Sequence, residues 1–327
     1  MKNKFLYKLC SGKNPKFIYY GVNMFRLLVP KLFFQIRLHH KLALSTSRKD
    51  WSYIRQRVHY YNKLCGNVAL PSSFPKLADH KMGKQKVYFF DTYQYTRWFS
   101  DFFRWGFCPG DVIYVPEYPS IVKSRPLVDA NENSVLLKLD KVRHFIFVND
   151  KKEFTEKKNM VIFRGKVKGK PSRRRFMEMY FHHPMCDLGD VSKNTTDPLE
   201  WQTEKKTIRE HLDYKFIMAL EGNDVASNLK WVMSSNSIAV MPRPTCETWF
   251  MEGTLIPDYH YIEIKPDFSN LEERVNYYIN HIDEALKIID HAHEYVAQFK
   301  NREREALISL LVLDKYFRVT GQIKNEL

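Results

Sequence analysis

Trp51, Ile54, Val58 and Tyr61 recur at the spacing of one helix face, with Arg55 and Arg57 elsewhere on the wheel. The apolar run 87–90 reads as a short buried strand, followed by an aromatic helix around 93–105 and a turn at Pro109-Gly110. Residues 111–115 read as the next strand, ending at Pro116-Glu117-Tyr118-Pro119, with further strands at 135–139 and 145–148. A charged stretch at 150–159 comes next. After it the pattern predicts a strand at 161–163, a Gly/Lys/Arg-rich loop at 166–175 and a helix at 176–181. Strands at 214–220, 237–241 and 260–264 then enclose a helix at 225–234. Ser269-Asn270-Leu271-Glu272 is a capping-box signature. Two apolar helical stripes follow, Leu271 to Ile282 and Ala285 to Phe299, and a last apolar helix at 305–316. This alternation predicts an α/β fold with two Rossmann-like halves. The expected divisions are a basic helical segment (1–70), a first Rossmann-like half (71–155), a second (156–300) and a C-terminal helix (301–327).

Composition adds a sharp asymmetry. Of 52 Lys+Arg and 37 Asp+Glu in 327 residues, the first 70 residues hold 14 cations and one acid, Asp50. The remainder is close to neutral. The same segment is rich in apolar residues from Phe17 to Ile36, but Arg26, Lys31 and Arg37 interrupt it and Pro30 kinks it. A membrane span is therefore not expected. A segment lying on an anionic membrane face is, since each Lys/Arg near such a surface adds ~1 kcal/mol; the plainer alternative is a basic helical hairpin packing its apolar face on the body. Nucleic acid is not expected as a partner, because no nucleic-acid motif accompanies the charge. Five scattered cysteines without a CxxC pair exclude a disulfide framework or a Cys-rich zinc site and fit a reducing cytoplasm. No signal peptide is expected, since no adequate apolar stretch with a cleavage site follows Lys2, Lys4 and Lys8.

The candidate chemistry lies at predicted strand ends. There is no GxGxxG, Walker A loop, HExxH or Asp-x-Asp in the chain, so a metal-held diphosphate is disfavoured and no metal ligands are assigned. Arg164-Gly165 follows one predicted strand, and Glu221-Gly222-Asn223 follows another at the start of a predicted helix. A guanidinium and the N–H groups of a helix N-terminus both suit phosphate, and the loop with Lys166, Lys168, Lys170, Arg173, Arg174 and Arg175 adds positive field. Glu117, held between two prolines, is a candidate general base. A solvated basic loop, a structural glycine turn and a surface glutamate are the ordinary alternatives.

These residues resemble a known family. The stretch from Tyr214 through Gly222, Ala226-Ser227-Asn228-Leu229-Lys230, Glu247-Thr248-Trp249-Phe250, Pro257-Asp258-Tyr259-His260-Tyr261 and Asp267-Phe268-Ser269-Asn270-Leu271-Glu272 resemble the C-terminal signature of glycosyltransferase family 90. Phe163-Arg164-Gly165 resembles its phosphate-contacting motif, and Val115-Pro116-Glu117-Tyr118-Pro119 the stretch carrying its catalytic base. The likeness spans roughly residues 110–300 and is nearest to the bacterial lipopolysaccharide-core branch. It implies a GT-B-like fold, two Rossmann-like domains facing a cleft, and transfer with inversion of a hexose (glucose or galactose). The donor would be a UDP-hexose and the acceptor a lipopolysaccharide or lipooligosaccharide core sugar, with no cofactor or obligatory metal. Glu117 would be the base. Donor binding would fall to Arg164, Gly165, Arg174, Gly222, Asn223, Ala226, Ser227, Asn228, Lys230 and Glu247, and the acceptor side to Tyr118, Lys123 and Arg125. The enzyme would sit at the inner face of the cytoplasmic membrane. Two departures stand out: eukaryotic members carry Asp where this chain has Glu117, and a phosphate-binding Arg where it has Asn228. The rival expectations are a non-catalytic basic protein binding glycolipid or nucleic acid, and a sulfo- or phosphotransferase.

Overall fold

The computed structural model describes residues 11–324. In chain order the longer helices are α1 (Lys16–Leu27), α2 (Lys31–Ala43), α3 (Trp51–Tyr61), α4 (Lys86–Thr96), α5 (Pro171–Tyr180), α6 (Leu271–Asn280), α7 (Ile282–Ala297) and α8 (Arg302–Val319). The strands are β1 (Gly106–Cys108), β2 (Ser120–Val122), β3 (Ser124–Pro126), β4 (Ser134–Leu136), β5 (Lys158–Gly165), β6 (Cys186–Asp190), β7 (Tyr214–Met218), β8 (Ile238–Met241), β9 (Cys246–Thr248) and β10 (Ile262–Glu263). Two compact units emerge, both discontinuous in sequence. The first takes the residues up to Asn14, Arg143–Pro244 and Thr254–Gln298; the second takes Pro15–Val142, Thr245–Gly253 and the chain from Phe299 onward.

The first unit is built on a five-stranded sheet, ordered β10-β8-β7-β5-β6 and parallel throughout. Its central strands β7 and β8 are buried along their whole length, as expected where helices cover both faces. Phe163, Phe176, Phe216, Val240, Ile262, Phe268, Val275 and Ile288 belong to one core. The expected helix at 225–234 is cut to one turn, Leu229–Val232. Asn228 Nδ2 donates to the Met218 carbonyl (2.9 Å) and the Gly222 N–H to the Asp224 carbonyl (3.0 Å), so the preceding residues follow a compact bend.

The second unit holds a three-stranded parallel sheet, β1-β2-β4, and an antiparallel pair, β3-β9. Helix α8 lies against α3 and α4. Its buried charges meet at Glu305, which accepts from Trp249 Nε1 (2.6 Å) and pairs with Arg57 (3.0 Å) and Lys138 (3.3 Å). Tyr61 stacks on Trp249 with ring centroids 3.8 Å apart.

Three expected strands, 87–90, 111–115 and 145–148, are not formed, and the last of these is irregular chain. Residues 87–90 lie inside α4, because Tyr88, Asp91, Thr92 and Tyr95 form a buried face at helical spacing; a four-residue apolar run does not separate strand from helix. Residues 111–115 form no strand: the Val112 N–H donates to Ser124 Oγ (3.1 Å), whose hydroxyl returns a bond to the Val112 carbonyl (3.0 Å). Both backbone groups are satisfied without a ladder.

Candidate active site

The order of the large sheet reverses at β5. The chain leaves β5, crosses through α5 to β6 on one side, and later lays β7 on the other. Open parallel sheets bind ligands beyond the carboxyl ends of their strands at such a reversal. Those ends are Arg164-Gly165 and Leu220-Glu221-Gly222.

Arg173 bridges them. Helix α5 buries Phe176, Met177 and Tyr180, and Arg173 continues that stripe one turn earlier, which turns it inward. Its Nε donates to the Glu221 carbonyl (3.0 Å), Nη2 to Leu220 (2.7 Å) and Nη1 to Lys166 (3.0 Å). All three acceptors are backbone carbonyls, and among the described residues no carboxylate pairs with this guanidinium. Burial lowers its pKa to about 10, so it remains cationic at neutral pH. A Cβ at Gly222 would stand 3.2 Å from Nη2, and glycine there leaves that space open. The loop after β5 is held by buried Asp190, whose Oδ1 accepts the N–H groups of Val167 (3.0 Å) and Ser192 (2.8 Å). Lys170 Nζ donates to Asn223 Oδ1, tying the two loops together. The arrangement is a cationic cluster at the strand ends, suited to a phosphate group.

The other expected donor residues have different surroundings. Arg164 does not point its charge outward: Nη2 pairs with Asp187, and Nη1 donates to the Asp187 (2.7 Å) and Phe163 (2.9 Å) carbonyls. Burial raises the Asp187 pKa, but hydrogen bonds from Tyr214 and Arg164 outweigh it and hold the carboxyl below its ordinary value. Arg174 is exposed and paired with Glu178 (2.9 Å) and Asp197 (2.7 Å). Its neighbour Arg173, and not Arg174, is the one that spans the two loops. With only one helical turn after Asn228, the expected helix N-terminus for phosphate is also absent. Asn223 and Ser227 are exposed, Ala226 and Lys230 buried.

The remaining expected residues belong to the second unit. Glu117 is exposed in a bend three residues before β2, not beyond a strand end. Asn133 Nδ2 fixes that bend by donating to the Glu117 (2.7 Å) and Pro116 (3.1 Å) carbonyls, leaving the carboxylate itself toward solvent. Tyr118 is exposed and meets Phe74 edge-on, centroids 5.6 Å apart. Lys123 is buried against Asp111. Arg125 and Glu247 are register partners on β3 and β9 and are both fully buried. Arg125 Nε donates to Glu247 Oε1 (2.7 Å) and Nη2 to the Tyr60 carbonyl (2.8 Å), while the Tyr60 hydroxyl donates to Glu247 Oε2. These two residues hold each other across β3 and β9.

Among the described residues, no group of three or more His, Cys, Asp or Glu is placed to hold a metal ion. Among the same residues, no helix is long and apolar enough to cross a membrane.

Residues 132–317 match the family model described as Glycosyl transferase family 90. The chain belongs to glycosyltransferase family 90. As a family 90 member it is a glycosyltransferase, and the matched region takes in Arg173 with both loops that it bridges. Glu117, Tyr118, Lys123 and Arg125 lie ahead of that region. The "O-glucosyltransferase LpsA" of Dichelobacter nodosus is 40% identical to this family 90 chain over 265 residues, 81% of this chain and 82% of that protein.

Proposed function

We propose that the protein transfers a hexose, glucose foremost, from a UDP-sugar to a hydroxyl of a lipopolysaccharide or lipooligosaccharide core sugar, with inversion and without a metal ion. The observation that carries this is the 40% identity to an O-glucosyltransferase over four-fifths of the chain. The GT-B class is the fold that accompanies it. Arg173, with Lys170 beside it, supports the donor half: it offers positive charge to the diphosphate, which gains charge as the glycosidic bond breaks. Glu117 takes the proton of the acceptor hydroxyl, whose oxygen attacks the anomeric carbon on the face opposite the diphosphate. UDP leaves with the bonding electron pair. The acceptor is membrane-borne, so the enzyme works at the inner face of the cytoplasmic membrane.

Purified protein incubated with a panel of sugar nucleotides and core oligosaccharide should release UDP fastest from UDP-glucose. Release from no sugar nucleotide would overturn the transferase reading in favour of a non-catalytic binder. Arg173→Ala should weaken UDP binding about 10–100-fold by calorimetry, the scale of a hydrogen bond to a charged group. Arg174→Ala, whose side chain is already paired with acids, should leave UDP affinity within about two-fold. Equal affinity in wild type and Arg173→Ala would remove Arg173 from the donor site.

A further inference from the structure

Helices α1 and α2, consecutive in the chain, are each tied to the rest of the second unit by one face. Tyr19 donates to Asp91 (2.7 Å), Arg26 to Gln94 (3.1 Å) and Gln35 to the Phe99 carbonyl (2.8 Å). Lys31 pairs with Asp101, and Arg97 lies 3.7 Å over the Phe34 ring. That face is largely polar and aromatic. The apolar face is the outward one: Phe25 (69% exposed), Leu28 (76%), Leu32 (64%) and Ile36 (71%) stand in solvent within or on either side of the turn between the helices, and Phe17 (77%) at the far end of α1. The plainer alternative, an apolar face packed on the body, is not what these exposures show. Scattered exposed apolar side chains are ordinary, but a contiguous set of this kind marks an interaction surface.

Charge identifies the occupant. Residues 11–49 contain no Asp or Glu, and Lys13, Lys16, Arg37 and Lys41 are exposed on the same segment. Arg37 lies 3.8 Å over the Phe33 ring, so cation and apolar surface are interleaved. A protein partner would need an apolar patch rimmed by acids. An anionic bilayer supplies both features everywhere on its surface, with headgroup phosphates above and acyl chains beneath.

We infer that the α1–α2 segment docks the protein on anionic lipid, inserting Phe25, Leu28, Leu32 and Ile36 while Lys16, Arg37 and Lys41 meet headgroup phosphates. This rests on the membrane-borne acceptor in the proposed function and not on its transfer chemistry.

The test is co-sedimentation of the full chain with vesicles of phosphatidylcholine alone or with phosphatidylglycerol. Binding is expected only with phosphatidylglycerol, and it should fall as salt rises. Phe25→Glu with Leu28→Glu should reduce partition at least about 10-fold, since two apolar insertions are lost. Arg37→Glu with Lys41→Glu should reduce it at least about five-fold per cation removed. All four positions are exposed, so thermal melting and turnover on a water-soluble core oligosaccharide should match wild type. Equal vesicle binding by wild type and both variants, or no binding by wild type, would overturn the inference. So would a wild-type dimer in sedimentation that the Phe25→Glu/Leu28→Glu variant lacks, because the face would then cover a second copy. Vesicle binding without any sugar transfer would leave the docking intact and remove only the chemistry.

Discussion

Glu117→Gln is expected to lower transfer by ~100–10,000-fold, the range of general base catalysis, while UDP affinity stays at the wild-type value. Glutamine keeps the size and the backbone bend fixed by Asn133, but it has no carboxylate to accept the hydroxyl proton. Glu117→Asp should recover part of the rate, because the base survives with a reach shorter by one methylene. Initial rates of UDP release, with calorimetric titration of UDP in parallel, separate the two effects. Wild-type turnover in Glu117→Gln would place the base elsewhere.

Arg125→Ala is expected to destabilise the protein by about 3–5 kcal/mol, the scale of breaking one side of a buried ion pair. Glu247 is only 1% exposed, so its carboxylate would lose its cation with no water to replace it. The Tyr60 and Ser134 carbonyls would lose donors as well. Replacing both charges, Arg125→Met with Glu247→Leu, should recover much of the loss, since no unpaired charge is left buried. Denaturant melts of the single and double variants check this. If Arg125 served the acceptor instead, Arg125→Ala would impair turnover with an unchanged melt.

The sequence was most legible where burial is two-sided and the runs are long. Tyr214 to Met218 and Ile238 to Met241 read as strands because covered parallel strands are continuously apolar. The stripes of α6 and α7 read as helices because each has one wet face. Short elements failed for the opposite reason: 87–90 had too few residues to show a period, and 111–115 has its hydrogen bonds met by Ser124, 12 residues away. The basic loop is legible from its composition, but which of its cations turns inward is not. The signal for Arg173 is positional instead, three and four residues ahead of Phe176 and Met177 on one helical stripe. That Arg125 and Glu247 face each other was beyond reach, because β3 and β9 are 122 residues apart at that pair.

The Glu305 cluster draws on every stretch of the second unit: Arg57 and Lys138 from the first, Trp249 from the second, Glu305 itself from the third. On the ribosome this unit, although it begins at Pro15, cannot close its interior until α8 has emerged. The unit containing Arg173 ends at Gln298 and is complete before that. The unit containing Arg173 therefore has all its stretches in hand before its neighbour does. A chain truncated after Gln298 would carry every stretch of the β5–β7 unit, with Arg57, Lys138 and Trp249 still lacking their carboxylate.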